Sequence, residues 1–205
     1  YAFWVVSLAL MVWSSNSLSA GDDWLPLLSV FKSGLLLLVA TLTGAALARY
    51  VKRLREIVPV CIVMTLADFA SWAIGPTAGF SRQIQEYYLA PGGPTPLVDM
   101  LLVKLVFPGT EYALPVFGVS DWIMVVFFAI VAQRHDVNDN LFGIAGERLA
   151  RAGRVGSYLP VSVAALFVAI VLAQITGLFV PALPLIALVM LAWYSIRYLL
   201  FKGES

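Results

Sequence analysis

The chain has 205 residues, a net charge of +1, 61% hydrophobic and 12% charged residues, and a mean hydropathy of +0.90. A soluble domain carries roughly 25% charged residues, so in water much of this apolar excess would have to face solvent, whereas lipid accepts it. The balanced charge offers nothing to nucleic acid. One cysteine, Cys61, and one histidine, His135, exclude an internal disulfide and a Cys/His metal site and count against a bis-histidine haem or a Ser-His-Asp triad.

Apolar runs near the length of a bilayer span occur at about 1–14, 25–48, 57–75, 112–133, 158–175 and 178–200. With no β-barrel alternation, these predict an all-α membrane bundle of about six transmembrane helices, since a spanning segment must satisfy its backbone internally. The first run is short and starts at Tyr1, which suggests that further residues, or whole helices, precede it. Arg49, Lys52, Arg53 and Arg55 follow the second run, and Arg134, Arg148, Arg151 and Arg154 follow the fourth. Arg197 and Lys202 end the sixth, so ten of the thirteen basic residues fall on one side. The positive-inside rule makes that side, with loop 134–157 and the C-terminus, cytoplasmic, and makes loop 76–111 exoplasmic. Within the latter, a Pro/Gly-rich stretch at 90–96 precedes Leu97 to Phe107, which is too short to span and suits an interfacial helix or an extended strand.

Two carboxylates fall inside predicted spans, Asp68 and Asp121. Each costs roughly 2.5–3.5 kcal/mol at a helix centre and requires a function or a partner. Lys32, near the exoplasmic end of its span, cannot neutralise both. Asp68 lies 11 residues beyond Ile57, and Asp121 lies 12 residues before Gln133. At 1.5 Å per residue these are depths of roughly 17 and 18 Å from the cytoplasmic ends of two antiparallel helices. Carboxylates at one level can share a proton, because like charges in contact do not both ionise cheaply. One then activates water while the other protonates a carbonyl oxygen. Proton relays, transport sites and helix-to-helix hydrogen bonds use intramembrane carboxylates as well.

Three local sequences carry a resemblance. Gly118-Val119-Ser120-Asp121 resembles the Gly-x-Gly-Asp motif of the presenilin/signal peptide peptidase family of intramembrane aspartyl proteases, with Ser120 in place of the second glycine. Ala67-Asp68, running on to Gly75-Pro76, is similar to the family's Tyr-Asp helix, with Ala67 in place of tyrosine. Pro181-Ala182-Leu183-Pro184 is similar to its Pro-Ala-Leu motif, and two prolines inside a span are expected to loosen that helix. The motifs stand in the family's order, in the third, fourth and sixth spans, over about residues 57–200. The resemblance implies that Asp68 and Asp121 are catalytic and that Gly118, Ser120, Pro181, Ala182 and Leu183 contact a transmembrane peptide substrate. It implies no metal or organic cofactor. The family's nine-helix plan would place three further helices before this chain. An exoplasmic loop between the two aspartates is the signal peptide peptidase arrangement.

Two alternatives stand beside proteolysis. One is a non-catalytic membrane subunit of a larger complex that retains the fold, for which Ala67 and Ser120 speak. The other is a proton-coupled transporter using the same carboxylates, although paired broken helices in two related halves are not seen. Other residues have plainer roles. Trp4, Trp13, Trp24, Tyr87, Tyr88 and Tyr112 read as interfacial anchors, and Gly34 and Gly44 with Ala45 and Ala48 as a close-packing face. Arg148, Arg151 and Arg154 read as a cytoplasmic face or lipid-headgroup contact, and His135 as a solvated loop residue.

Overall fold

The computed structural model describes residues 25–74, 96–105, 114–176 and 182–202, with isolated positions at 5, 6, 9, 79, 83, 84, 86 and 87. Most of the run at 1–14, residues 90–95, Trp4, Trp13, Trp24, Tyr88, Tyr112 and Pro181 lie outside the described residues. The described chain is mostly helical: α1 (Leu25–Ala48), α2 (Ile57–Ala73), α3 (Val119–Arg134), α4 (Gly143–Arg151), α5 (Val161–Thr176) and α6 (Ala182–Lys202). Between α2 and α3, a 3-10 turn at Leu97–Leu101 leads into β1 (Leu102–Leu105), which pairs antiparallel with β2 (Leu114–Gly118). Of the forms expected of Leu97 to Phe107, the extended strand is present at Leu102–Leu105, and residues 106 and 107 lie outside the described residues. Residues Ser29–Ala48 of α1 are long and apolar enough to cross a membrane, and Val161–Ala173 and Ala182–Arg197 are apolar but shorter.

One helix boundary departs from the sequence expectation. The helix expected from residue 112 starts at Val119, because Leu114–Gly118 is a strand. Pro115 explains the difference: inside a helix it would remove a hydrogen bond and clash, at about 3 kcal/mol, whereas a strand of a two-stranded ribbon admits it. The loosening expected around Pro181 falls outside the described residues, which resume at Ala182 and Leu183 in α6, with Pro184 buried in that helix.

The core gathers on α3, which contributes Met124, Val125, Phe127, Phe128, Val131 and Ala132. Around it stand Ala48 of α1, Ile57 and Cys61 of α2, Val161, Ala165 and Leu166 of α5, and Ile186, Ala187, Met190 and Tyr194 of α6. Polar groups on the neighbours fix α3 by its main chain. Ser162 Oγ donates to the Val125 carbonyl and Tyr194 Oη to the Phe128 carbonyl, each at 3.0 Å and buried. The outer faces of the surrounding helices are apolar and exposed: Phe31, Leu38 and Leu42 on α1, Val63, Leu66 and Phe69 on α2, Phe167 and Val168 on α5, Leu188 and Ile196 on α6.

The α3–α5 connection is tightly ordered. Asp136 takes the left-handed conformation (φ 52°), and the amides of Asp136 and Val137 return to the carbonyls of Gln133 and Ala132, closing α3. Asn140 is fully buried; its Nδ2 donates to Ser157 O, and its Oδ1 accepts from the amides of Phe142 and Leu159. His135, expected to be solvated, is half-buried with its Nε2 unpartnered, because the turn that ends α3 folds it inward. Asp139 is buried, and both its oxygens accept from the Tyr158 hydroxyl at 2.9 and 3.1 Å. Burial pushes its carboxyl up from 3.8 to about 6, with the Tyr158 hydroxyl opposing and Glu147 adding to the rise. The folded connection thus holds this proton to higher pH than the unfolded chain does. Its contribution is complete below about 3.8 and is lost as pH rises through about 6. Hydrogen exchange over residues 137–160, corrected for intrinsic rates, is expected to lose protection across that interval, and Asp139→Asn to abolish the dependence.

Candidate active site

Asp68 is the twelfth residue of α2, and its face is set by helical period. Ile57, Cys61, Met64, Asp68 and Ser71 form one stripe that is buried or half-buried, while Val58, Ile62, Val63, Leu66 and Phe69 face outward. Asp68 therefore continues the stripe that packs on the core, and α2 lies against α6. Ala67, beside it, is exposed.

Asp121 is reached from a strand. β2 ends at Gly118, whose extended backbone (φ −78°, ψ 154°) turns the chain into α3. Asp121 is the third residue of that helix, and its Oδ2 accepts from the Gly118 amide at 2.9 Å. The carboxylate thus closes the first turn from inside, in the field of the helix N-terminus. Gly118 leaves room for it: a Cβ there would stand 3.3 Å from Ser120 Oγ and 3.4 Å from Asp121 Oδ2. Ser120 itself is exposed.

This turn is clamped against α1. Trp122 Nε1 donates to Thr41 Oγ1 at 3.0 Å, and the Trp122 ring stacks on Phe117 of β2 with centroids 6.0 Å apart. Three residues further along α1, Gly44 meets α3 directly: a Cβ there would lie 2.6 Å from the Ile123 carbonyl oxygen. At the far end, Arg134 Nη1 donates to the Ala48 carbonyl, the last of α1, at 2.6 Å. Gly44 and Ala48 thus form the close-packing face expected of them, whereas Gly34 has nothing within 4 Å of its Cβ position among the described residues. The hairpin is held to the same helix. The Lys104 amide of β1 donates to Ser33 Oγ at 3.0 Å, and Lys104 Nζ pairs with Asp99.

α2 and α3 both pack against α6, which sets the inward stripe of α2 and the core side of α3 on a common helix. Met64, one turn before Asp68, packs against the common core together with Phe117, Trp122, Ala182 and Leu183. No family model, curated protein or solved structure matches the chain. Within the chain, Gly118 and Asp121 are joined by a hydrogen bond with Ser120 exposed between them, Asp68 is half-buried on α2, and Ala182 and Leu183 are half-buried against the core on α6. Pro181 lies outside the described residues. Sequence reasoning missed Thr41, Trp122 and Ser33, which hold α3 and the hairpin to α1; Thr and Ser on an otherwise apolar helix were the available signal. Among the described residues no group of His, Cys, Asp and Glu is placed to hold a metal ion.

Gly44→Leu is expected to destabilise the protein by about 1–3 kcal/mol, because the added carbons meet backbone rather than a yielding side chain. Gly34→Ala, made in parallel, is expected to be neutral or slightly stabilising. Thermal melts of the two purified variants in one detergent check both.

Proposed function

We propose that this chain is a multi-pass membrane protein that hydrolyses peptide bonds of transmembrane segments with an Asp68/Asp121 dyad, as a divergent intramembrane aspartyl protease resembling signal peptide peptidases. The observation that supports this reading is the placement of two carboxylates on separate helices, Asp68 on the inward stripe of α2 and Asp121 bonded to the Gly118 amide at the start of α3, in a body whose outer faces are apolar. Monomeric soluble proteins rarely expose apolar patches beyond a few hundred Å², and lipid accounts for α1, α2, α5 and α6 presenting such faces together. In this orientation the basic loop 134–157 and the C-terminus are cytoplasmic, and loop 76–111 is exoplasmic.

The dyad shares one proton. The ionised carboxylate draws a proton from water as the oxygen attacks the peptide carbonyl, and the protonated partner donates to the carbonyl oxygen. Collapse of the tetrahedral species returns a proton to the leaving amine, and the dyad is restored. A helical substrate shields its carbonyls, so it must unwind first. The β1–β2 hairpin supplies a template for the unwound peptide. β1 lies against α1, so the outer edge of β2 is the one that pairs with an added strand by β-augmentation. β2 runs directly into Gly118 and Asp121, so a peptide paired along it is delivered to the dyad. Ala182 and Leu183, in the first turn of α6, line the other side. No cofactor takes part in this scheme.

Asp68→Asn and Asp121→Asn are each expected to reduce cleavage of a reporter transmembrane peptide by at least about 10²–10⁴-fold, with melting temperature retained. Asparagine is neutral and nearly isosteric, and its Oδ1 can still accept from the Gly118 amide. Cleavage surviving both substitutions contradicts the mechanism. A non-catalytic subunit shows no cleavage even as wild type. A proton-coupled transporter shows none either, but its variants lose proton-driven uptake.

A further inference from the structure

The α3–α5 connection carries a surface that the dyad does not use. Between residues 141 and 155, Leu141, Phe142, Ile144, Leu149 and Val155 are exposed, Val155 completely. Arg148, Arg151 and Arg154 stand exposed among them. The one acidic residue of this stretch, Glu147, is half-buried and accepts from Arg151 Nε at 3.0 Å. A cytosolic segment in water does not ordinarily display five large apolar side chains beside three arginines.

The rotation of α4 is fixed. Gly146 is buried on the inner face, where a Cβ would stand 2.6 Å from Phe142 Cβ and 3.0 Å from both Asn140 Nδ2 and Ser157 O. With Gly146 pressed inward, Ile144, Ala145, Arg148 and Leu149 share the outward face. The height of α4 is fixed as well. Asn140 bridges to Pro160, and the Leu141 amide donates to Leu159 O at 2.9 Å. The helix is thus pinned beside the first residue of α5, where that helix enters the bilayer in the multi-pass reading.

We propose that α4 and its flanking turns lie on the cytoplasmic membrane surface and bind anionic phospholipid headgroups. The proposal rests on the membrane placement made above and not on catalysis. Apolar side chains enter the acyl boundary, while the arginine stems extend along it and carry their guanidinium groups to phosphate. Basic residues at such a surface favour anionic over zwitterionic lipid. A protein partner would use the same apolar residues, but three clustered arginines with one acidic neighbour, Glu147 paired to Arg151, favour the lipid surface.

Nitroxide labels introduced as Ile144→Cys and Leu149→Cys, with Leu38→Cys on the outer face of α1 as a reference, test this in nanodiscs; Cys61 is buried and stays unlabelled. In nanodiscs containing anionic phospholipid, the α4 labels are expected to collide more with oxygen than with a water-soluble nickel chelate. In purely zwitterionic nanodiscs, or in the triple variant Arg148→Gln, Arg151→Gln, Arg154→Gln, that preference is expected to be lost. Water-exposed α4 labels with a lipid-exposed Leu38 label overturn the proposal and leave the face to a protein partner. Lipid exposure that ignores both headgroup charge and the arginines overturns the assigned ligand. A water-exposed Leu38 label overturns the membrane placement itself.

Discussion

The catalytic reading of this chain depends on how one strand becomes one helix. At Gly118 the backbone is still extended, and three residues later Asp121 accepts the Gly118 amide while already inside α3. That single bond folds the carboxylate back over the start of α3. It leaves β2 continuous with the site. A residue with a larger side chain at 118 would press on Ser120 Oγ and Asp121 Oδ2, so the small residue serves the carboxylate as much as any approaching peptide.

Holding that turn still is the work of α1 and the core. In the multi-pass reading proposed above, apolar contact between helices gains little over contact with acyl chains, so close packing and interhelical hydrogen bonds carry the association. The chain uses both. Gly44 lets α1 approach the α3 backbone, Trp122 reaches Thr41, and Ser162 and Tyr194 donate to α3 carbonyls. Such bonds average about 0.6 kcal/mol each in membrane proteins, so rigidity here comes from their number and from their attachment to main chain. The ordered connection after α3 extends the same framework, with Trp193 of α6 donating to the Asn138 carbonyl at 2.9 Å.

Much of this was legible in the residues, and the failures have physical causes. The bounds of α1 follow from an apolar run ending at the basic cluster after Ala48. The inward side of Asp68 follows from the spacing of Ile57, Cys61 and Met64. The run from 112 misled because a continuous apolar stretch does not distinguish a strand from a helix by period. Pro115, with Val116 and Phe117 after it, was the clue. Asp121 consequently stands in the first turn of α3 rather than in the middle of a helix. The polar cluster around Asp139 went unread. Its signal lay in Asn138-Asp139-Asn140, residues that fold back on nearby amides, as the Asn138 side chain does on the Asn140 amide at 2.9 Å. Gly34 is equivalent to Gly44 in sequence, and what separates them among the described residues is that only Gly44 meets a helix backbone.

The most direct measure of whether the two aspartates form one catalytic centre is the binding of a transmembrane peptide whose scissile amide is replaced by a hydroxyl-bearing tetrahedral mimic. Such a mimic binds an aspartic dyad through both carboxylates and their shared proton. Its affinity, followed by fluorescence anisotropy, is predicted to fall sharply in Asp68→Asn and in Asp121→Asn. The double variant is predicted to lose little more than either alone, because groups that act as a unit are not additive. Unchanged binding in either single variant, or losses that simply add, would contradict a shared site.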